Sequence, residues 1–230
     1  MIEPIPIFIG YDPREAAAYH VCCQSIISRS SVPVAFYPLA LNTLSTQYEE
    51  THGDGSNAFI YSRFLVPAMM GFGIQSKHAL FIDGDMLVRG DIAELWALRR
   101  FDVGAQVVKH DYKTKYPTKY LGARNDDYPR KNWSSVILWN CGFAPNRILS
   151  PQYVAQMPGS FLHRFSWLKD DSVGELPPEW NHLTMEYEPN PAAKLYHFTV
   201  GLPGFIGFSE QEGAEEWRHE LTAACAPVWP

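Results

Sequence analysis

The sequence is poor in the features that define several large classes of protein. It has four cysteines, which are too few for a disulfide scaffold and show no Cys-x-x-Cys spacing that would indicate zinc. No apolar run approaches the roughly 18 to 20 residues of a membrane span, and the N-terminus lacks a basic segment leading into an apolar signal core. We therefore predict a cytoplasmic chain without a transmembrane segment, and attachment to a membrane surface stays open.

Positive charge is also scarce. Lys and Arg total 19 against 25 Asp and Glu, which gives a net charge of −6 and a pI near 5.7. Binding to a nucleic-acid backbone needs a clustered basic surface, so we predict no nucleic-acid partner. A phosphorylated substrate would need a cation or a few local basic groups. At 46% hydrophobic residues, the chain suits one core, and we predict a single domain over residues 1–230.

Short apolar runs alternate with helical signals along the chain. Residues 5–9 form an apolar run rich in β-branched side chains that ends at Gly10, and Asp12 then begins a helix as its N-cap. A second strand is predicted over residues 34–39, at the spacing of a β-α-β unit. We therefore predict an α/β fold with a mainly parallel mixed central sheet and helices on both faces.

The rest of the chain continues this alternation. Further strands are predicted over residues 79–82, 103–108, 134–139 and 194–198, and helices over 57–70, 91–96, 152–157, 161–168 and 212–225. Residues 109–132 are polar and rich in tyrosine and lysine, without a clear period. Loops of this length inside a compact domain are usually functional or mobile, so we predict an acceptor lid that orders when a donor binds.

Two carboxylates directly follow the strand predicted over residues 79–82. Asp83 and Asp85 would lie at the carboxyl end of a parallel sheet, where open α/β folds bind their ligands. On extended backbone they project to the same side, and Gly84 leaves room for a ligand to approach closely. Such a pair is a hard oxygen site for Mg²⁺ or Mn²⁺. A turn is the alternative interpretation, since Asp-Gly is also a hairpin signal.

The sequence around these carboxylates resembles the glycogenin-like, family-8 retaining glycosyltransferases. Residues 79–88, with Tyr61-Ser62-Arg63-Phe64 upstream, resemble the core of that family. Other segments match in order from about residue 5 to 205: Gly10-Tyr11-Asp12 at the first strand's end, residues 135–140, Leu176-Pro177-Pro178-Glu179-Trp180-Asn181, and His197 at the metal histidine. The resemblance implies a GT-A-type, Rossmann-like fold with a DxD motif that binds a nucleotide sugar.

The resemblance also implies roles for the matching residues. Asp83, Asp85 and His197 would hold a divalent cation between the two phosphates of the donor, and a histidine ligand favours Mn²⁺ over Mg²⁺. Arg63 would reach the donor with its planar guanidinium. Further donor contacts are implied for Gly10, Tyr11, Asp12, Gly84 and Gly201. For Asp12, the N-cap role is an equally good explanation.

Three segments depart from the family pattern. Lys169-Asp170-Asp171 stands where the family has Asp-Gln-Asp beside the transferred sugar, which makes Asp170 and Asp171 the candidate catalytic residues; a solvated charge run is the alternative. Trp133-Ser134-Ser135 replaces Asn-Ala-Gly and removes an amide that would bind donor or acceptor. Residues 201–204 lack the lysine that grips phosphate. Metal and backbone N–H groups would replace it, or a lysine of the 109–131 loop such as Lys109, Lys113 or Lys115.

The resulting hypothesis is transfer of a hexosyl unit from a nucleotide sugar, UDP-linked, to a glycan or other hydroxyl acceptor, with retention at the sugar carbon. Two rivals stay open. A sugar nucleotidyltransferase also presents a metal-held nucleotide on an α/β sheet, but it usually leads with a glycine-rich basic loop unlike residues 10–14. A non-catalytic nucleotide- or glycan-binding relative is favoured by the missing lysine and the altered triplets.

Overall fold

The computed structural model describes residues 3–53, 55, 57–71 and 77–226. The strands are β1 (Ile5–Gly10), β2 (Val34–Leu39), β3 (His78–Ile82), β4 (Met86–Val88), β5 (Ala105–Val107), β6 (Val136–Asn140), β7 (Val173–Glu175), β8 (His182–Leu183) and β9 (Leu195–His197). The α-helices are α1 (Ala16–Ile27), α2 (Leu41–Leu44), α3 (Val66–Met69), α4 (Ile92–Ala97), α5 (Pro151–Gln156), α6 (Gly159–His163) and α7 (Ala214–Cys225).

Among the described residues, the larger sheet has six strands in the order β2-β1-β3-β6-β5-β7. β1 runs parallel to β2 and β3, and β5 runs parallel to β7, whereas β6 is antiparallel to both of its neighbours. This confirms the predicted α/β fold with a mainly parallel mixed sheet. Ile9 of β1 lies opposite Ile82 of β3, so the next residues, Gly10 and Asp83, are neighbours at the carboxyl edge.

Alternate side chains of the central strands fill cores on the two faces of this sheet. Phe8 and Phe81 join one core, to which the helices α3, α5 and α6 contribute. Ile7 and Leu80 join the other core, which is covered by α1 and α4. Successive residues of a strand face opposite sides, so the continuous apolar runs in the sequence reflect burial on both faces.

A smaller sheet, in the order β4-β9-β8, extends from the edge where the larger sheet ends. β4 pairs with β9 in antiparallel register, which places Met86 opposite His197. The sequence predicted β9 but neither β4 nor β8, because strands of two or three residues are too short to show a period. This sheet brings the last third of the chain to the carboxylates that precede β4.

Two predicted helices are shorter than expected. Residues 57–70 form turns, a 3₁₀ segment at Ser62–Leu65 and then α3, which has Pro67 in its first turn. Proline has no N–H and clashes with the preceding turn, so a continuous helix cannot pass through it. The helix predicted over residues 161–168 ends at His163, and Phe165 adopts a left-handed backbone with φ of 54°. None of the described helices is long and apolar enough to cross a membrane.

The predicted loop over residues 109–132 has little regular structure but is held by a buried polar network. Lys131 Nζ donates to Asn125 Oδ1 at 2.7 Å, and Asn125 Nδ2 donates to Glu186 Oε1 at 3.1 Å. Glu186 also accepts from the backbone N–H of Lys115 at 2.8 Å. Buried polar and ionic groups are costly unless they are hydrogen-bonded, and each of these groups has hydrogen-bond partners. Opening and closing of the loop with donor binding stays a prediction.

Candidate functional site

The three predicted metal ligands come together in the structure. Asp83, Asp85 and His197 are all buried, and one ligand atom of each lies within 4.8 Å of the others. Backbone pairing fixes this arrangement: the Asp83 N–H donates to Ser135 O at 2.9 Å, and the Phe198 N–H donates to Asp85 O at 3.1 Å. Strand ends, rather than loop residues, therefore set the positions of the three side chains.

The chemistry of this triad fits a divalent cation. Asp83 Oδ1 and Asp85 Oδ1 are buried, and within the described part of the chain neither has an aligned hydrogen-bond donor. His197 Nε2 lies 3.5 Å from Asp85 Oδ1. Buried carboxylate oxygens without donors are costly, and a cation between them would remove that cost. Two carboxylates and an imidazole form a ligand set suited to Mn²⁺.

A chain of hydrogen bonds orients the imidazole of His197. Asn181 Nδ2 donates to Ser135 Oγ at 2.8 Å, and Ser135 Oγ donates to Asn132 O at 2.7 Å. The amide oxygen of Asn181 therefore faces His197 Nδ1, at 3.1 Å. An amide oxygen only accepts, so Nδ1 carries a proton, and Nε2 is the ring nitrogen that faces Asp85 and would coordinate a cation. The sequence pattern predicts no individual role for either Asn181 or Ser135.

Arg63, predicted to contact the donor, lies beside the triad, and the protein itself occupies much of its guanidinium. Nη1 is 2.8 Å from Asp83 Oδ1 and donates to Ser134 O at 2.8 Å, while Nε donates to Ile60 O at 2.9 Å. The contact with Asp83 is a close ion pair without hydrogen-bond alignment. Arg63 thus positions Asp83 and supplies positive charge near the cavity.

The two buried carboxylates of the triad repel each other, and a bound cation would reduce this repulsion. Burial raises the pKa of Asp83 to about 6; Arg63 opposes this shift and the charge of Asp85 adds to it. Burial also acts to raise the pKa of Asp85, but the interaction with His197 outweighs it and lowers that pKa. Two adjacent buried carboxylates repel each other when both are ionised. Metal binding requires both to be ionised, and the bound cation would compensate for the repulsion.

The triad lines a cavity together with positively charged and hydroxyl-bearing side chains. The basic lining residues are Arg14, Arg63 and Lys119, and the hydroxyl groups come from Tyr120, Tyr128, Ser134, Ser135 and Thr199. Of the described residues that line it, only Asp83 and Asp85 carry carboxylates. The cavity thus combines an acidic floor with basic and uncharged polar walls.

Lys119 is a lining residue that the sequence analysis did not single out. Its Nζ donates to Thr199 Oγ1 at 3.0 Å, two residues beyond His197. Burial lowers the pKa of Lys119, while the charges of Asp85 and Asp83 act to raise it. The lysines named as examples, Lys109, Lys113 and Lys115, are not among the residues that line the cavity. No local sequence pattern distinguishes Lys119 from these three lysines. The conformation of the loop is what places Lys119, and not the others, in the cavity lining.

Gly10 and Gly84 pack against each other instead of leaving open space. A Cβ at Gly84 would lie 2.2 Å from Gly10 O, and a Cβ at Gly10 would lie 2.2 Å from the ring of Phe59. The room predicted beside Gly84 for a ligand is thus filled by the end of β1. Gly84 is needed because the backbone of Gly10 passes directly beside it, and Gly10 is needed because the ring of Phe59 packs against it.

Asp12 acts as the helix cap that its sequence context predicted. Its Oδ1 accepts from the Arg14 N–H at 2.9 Å and its Oδ2 from the Ala58 N–H at 2.9 Å, and it also pairs with the Arg14 side chain. Burial opposes ionisation of Asp12, but these hydrogen bonds prevail and lower its pKa. Neither Asp12 nor Tyr11 lines the cavity. Arg14, which Asp12 holds, does line it.

The remaining predicted residues lie away from the cavity wall. Asp170 and Asp171 are exposed, and Asp170 pairs with Arg130 at 2.5 Å. Gly201 is buried against the ring of Phe208. The structure does not bring these three residues to the triad, so their catalytic and donor-binding roles stay predictions.

A serine and a histidine form a close pair on the cavity wall. Ser134 Oγ lies 2.7 Å from His163 Nδ1, and both residues line the cavity. Burial lowers the pKa of His163 to about 3, and the positive charge of Arg63 acts in the same direction, so the ring is neutral. The sequence analysis recorded Ser134 as a departure from the family and did not consider His163, which lies in a segment without a motif.

Comparison of the sequence with known proteins gives one relationship of high coverage. Protein CDI of Arabidopsis thaliana is 41% identical over 227 residues, which spans 95% of this chain and 86% of that protein. No protein-family model matches the chain.

Comparison of the structure with solved structures identifies the fold. The bifunctional glycosyltransferase WbbM superposes with a TM-score of 0.67 at 14% identity, over 96% of this chain and 50% of that one. The galactosyltransferase LgtC gives 0.59 at 14%, over 97% of each chain, and GlyE of Streptococcus pneumoniae TIGR4 gives 0.59 at 13%, over 94% and 60%. This chain spans half the length of WbbM. At these identities the likeness shows the fold, which is that of the GT-A glycosyltransferases.

Proposed function

The chain belongs to the same family as Protein CDI of Arabidopsis thaliana, and from this membership, its GT-A fold and its buried triad we propose a metal-dependent glycosyltransferase. It transfers a hexosyl unit from a UDP-linked nucleotide sugar to a hydroxyl group of a glycan or other acceptor, in the cytoplasm. The observation that carries the proposal is the convergence of Asp83, Asp85 and His197 on one cavity. The ordered family-8 motifs of the sequence support the retaining type.

The residues present suit the leaving group of such a reaction. Departure of a nucleoside diphosphate develops negative charge, which Mn²⁺ held by the triad would stabilise as a Lewis acid. Lys119 supplies a positive charge in the same cavity and is held by Thr199. Lys119 thus takes the place of the phosphate-binding lysine that residues 201–204 lack. Arg63 keeps Asp83 in place while the carboxylate is ionised.

The composition of the cavity also supports retention without a covalent intermediate. A double displacement needs a carboxylate free to attack the anomeric carbon. Within the described cavity lining, the carboxylates are Asp83 and Asp85, and both are needed for the metal. We infer that the acceptor hydroxyl attacks from the face that the diphosphate leaves, with a diphosphate oxygen accepting its proton.

Calorimetry and a turnover assay test the proposal. UDP should bind in the presence of Mn²⁺ and much more weakly without it, and UDP should be released from UDP-hexose when a hydroxyl acceptor is supplied. Asp83→Asn and Asp85→Asn should abolish both, whereas Asp102→Asn, at an exposed carboxylate, should not. Undiminished activity of either triad variant would reject the proposal.

The same experiments separate the two rivals. Metal-dependent UDP binding without UDP release, across a panel of glycan acceptors, would identify a non-catalytic binding protein. Formation of pyrophosphate from UTP and a sugar 1-phosphate would identify a nucleotidyltransferase. Neither result is expected, because the cavity holds a metal triad with basic walls and residues 10–14 lack a glycine-rich phosphate loop.

A further inference from the structure

Ser134 and His163 present an uncharged hydrogen-bonding surface within the proposed active site. Ser134 is 5% exposed, and its Oγ is 2.7 Å from His163 Nδ1. The Ser134 carbonyl accepts from Arg63 Nη1, the atom that also contacts Asp83. The pair therefore lies one guanidinium group away from Asp83 of the triad.

The pair has hydrogen-bonding capacity that the protein does not use. A hydroxyl offers one proton and two lone pairs, and the bond with His163 occupies only one of these. His163 Nε2 is buried and has no partner in the described part of the chain. The imidazole packs against Phe64 in an edge contact, with ring centroids 5.2 Å apart, which fixes its orientation. An unmet buried polar group beside a cavity is a natural contact for a ligand.

Charge distinguishes this wall from the rest of the cavity. The ring of His163 is neutral because burial and the charge of Arg63 hold its pKa to about 3. Arg63 itself is committed to Asp83 and to the carbonyls of Ser134 and Ile60. A carboxylate at Ser134 would therefore lose its water without gaining a positive charge from His163 or Arg63, whereas a hydroxyl would gain a hydrogen bond with Ser134 Oγ.

We propose that Ser134 and His163 form a subsite for a hydroxyl group of the transferred sugar, and that this subsite selects neutral hexosyl donors over donors with a carboxylated sugar. The inference rests on the proposed function. It assigns a role to Ser134, which lies where the family has Asn-Ala-Gly, and to His163, which no family motif covers. Ser134 Oγ contacts the hydroxyl group of the sugar, and His163 holds the side chain of Ser134 in place.

Calorimetry with Mn²⁺ present tests the subsite. For the wild-type chain, UDP-glucose or UDP-galactose should bind more tightly than UDP-glucuronate. Ser134→Ala keeps the backbone carbonyl and should weaken the preferred neutral donor about fivefold to tenfold, the value of one hydrogen bond, while the affinity for UDP alone stays within about twofold. Ser166→Ala, at an exposed serine just beyond α6, is the matched control and should change neither.

A double-mutant cycle tests the partnership of the two residues. His163→Phe keeps a ring against Phe64 but removes both nitrogens, and it should weaken the neutral donor by a similar factor. Because both variants remove one shared contact, the double variant should lose little more than either single one. Additive losses would overturn the pairing.

Other outcomes would overturn the subsite directly. Equal weakening of UDP and UDP-sugar by Ser134→Ala would move the contact to the nucleotide. Unchanged affinity for every donor, or tighter binding of UDP-glucuronate than of both neutral donors, would remove the subsite. A hexose adduct on Ser134 in intact-protein mass spectrometry would make the residue a nucleophile instead. If the wild-type chain binds no UDP at all, the proposed function fails, and that result is distinct from these.

Discussion

The two sides of the cavity are held in place by different kinds of interaction. On the metal side, Asp83, Asp85 and His197 follow or end strands, and backbone hydrogen bonds set their positions. The other polar residues of the lining, among them Lys119, Ser134 and His163, are here called the facing side. Of these, Lys119 comes from an irregular loop that depends on side-chain contacts such as Lys131 with Asn125. Backbone ladders tolerate changes of side chain, whereas a side-chain network changes with its members.

This difference has a consequence for function. The metal side can stay constant in a family while the facing side changes its sugar or acceptor, because the two sides share few residues. Arg63 is one residue that links them, through Asp83 and the carbonyl of Ser134. We therefore expect substitutions on the metal side to abolish activity. Substitutions on the facing side should lower activity by amounts that depend on the residue.

Removal of the metal should have the largest effect. Chelation by EDTA is expected to lower UDP release from a UDP-hexose by at least about 1000-fold, because the leaving diphosphate loses its Lewis acid. Mn²⁺ should restore activity better than Mg²⁺, and it should raise the melting temperature of the wild-type chain but not of Asp85→Asn. Full transfer in EDTA would place the essential charge elsewhere, on the basic residues of the facing wall.

Loss of the Lys119 amine should have the next largest effect. Lys119→Met keeps the length of the side chain and should lower kcat/KM by about 100-fold, the value of one preorganised charge contact to a leaving group. Lys115→Met is the matched control, since Lys115 belongs to the same loop but pairs with Glu188 in solvent. Equal effects of the two variants would show that the loop matters as a whole and Lys119 does not.

The hydrogen bond from His197 to Asn181 should tune the metal site without forming it. Asn181→Leu should weaken Mn²⁺ binding about 10-fold to 100-fold, as for other groups that orient a metal ligand. Asn181→Asp keeps an acceptor for Nδ1–H and should retain most of the affinity. In the metal-free protein, ¹⁵N NMR should show a hydrogen-bonded proton on Nδ1 of His197 in the wild type, and loss of that hydrogen bond in Asn181→Leu. An unchanged Nδ1 signal in the variant would contradict the proposed orientation.

The loop network should affect stability more than chemistry. Lys131→Met leaves Asn125 Oδ1 and neighbouring acceptors without their donor, at about 1–3 kcal/mol for each buried group left unpaired. For a chain of this size, the melting temperature should fall by roughly 2–4 °C for each kcal/mol. Lys113→Met, at an exposed lysine of the same loop, should leave it unchanged. A network that contributes nothing would give both variants the wild-type melting temperature.

The sequence predicts the metal side well because its signals are local. An apolar strand followed by Asp83-Gly84-Asp85 indicates a site at a sheet edge, and the resemblance adds His197 from more than a hundred residues away. The role of Gly84 was harder to predict, because its neighbour Gly10 becomes visible only when β1 and β3 pair. Pairing of strands is a tertiary property, and local propensity does not encode it.

The facing side was predicted less well for a physical reason. Lys119 and His163 lie in segments without a period, and their positions follow from long-range contacts such as Tyr120 N–H to Val200 O. Three of the loop's lysines were named as phosphate ligands, and the structure places a fourth in the cavity. Segments held by side-chain networks give no sequence signal of which residue will point inward.

Substitution of the candidate catalytic residues Asp170 and Asp171 should have the smallest effect on activity. It is also a direct test of the difference between the metal side and the facing side. Asp170 is exposed and paired with Arg130. Exposed ion pairs contribute little to the stability of a protein. Asp170→Asn and Asp171→Asn should each change kcat/KM for the neutral donor by less than about threefold, measured beside Ser134→Ala. A loss above about 100-fold in either variant would mean that residues 169–171 move to the sugar when the donor binds. In that case the facing side would be assembled by the substrate rather than by the fold.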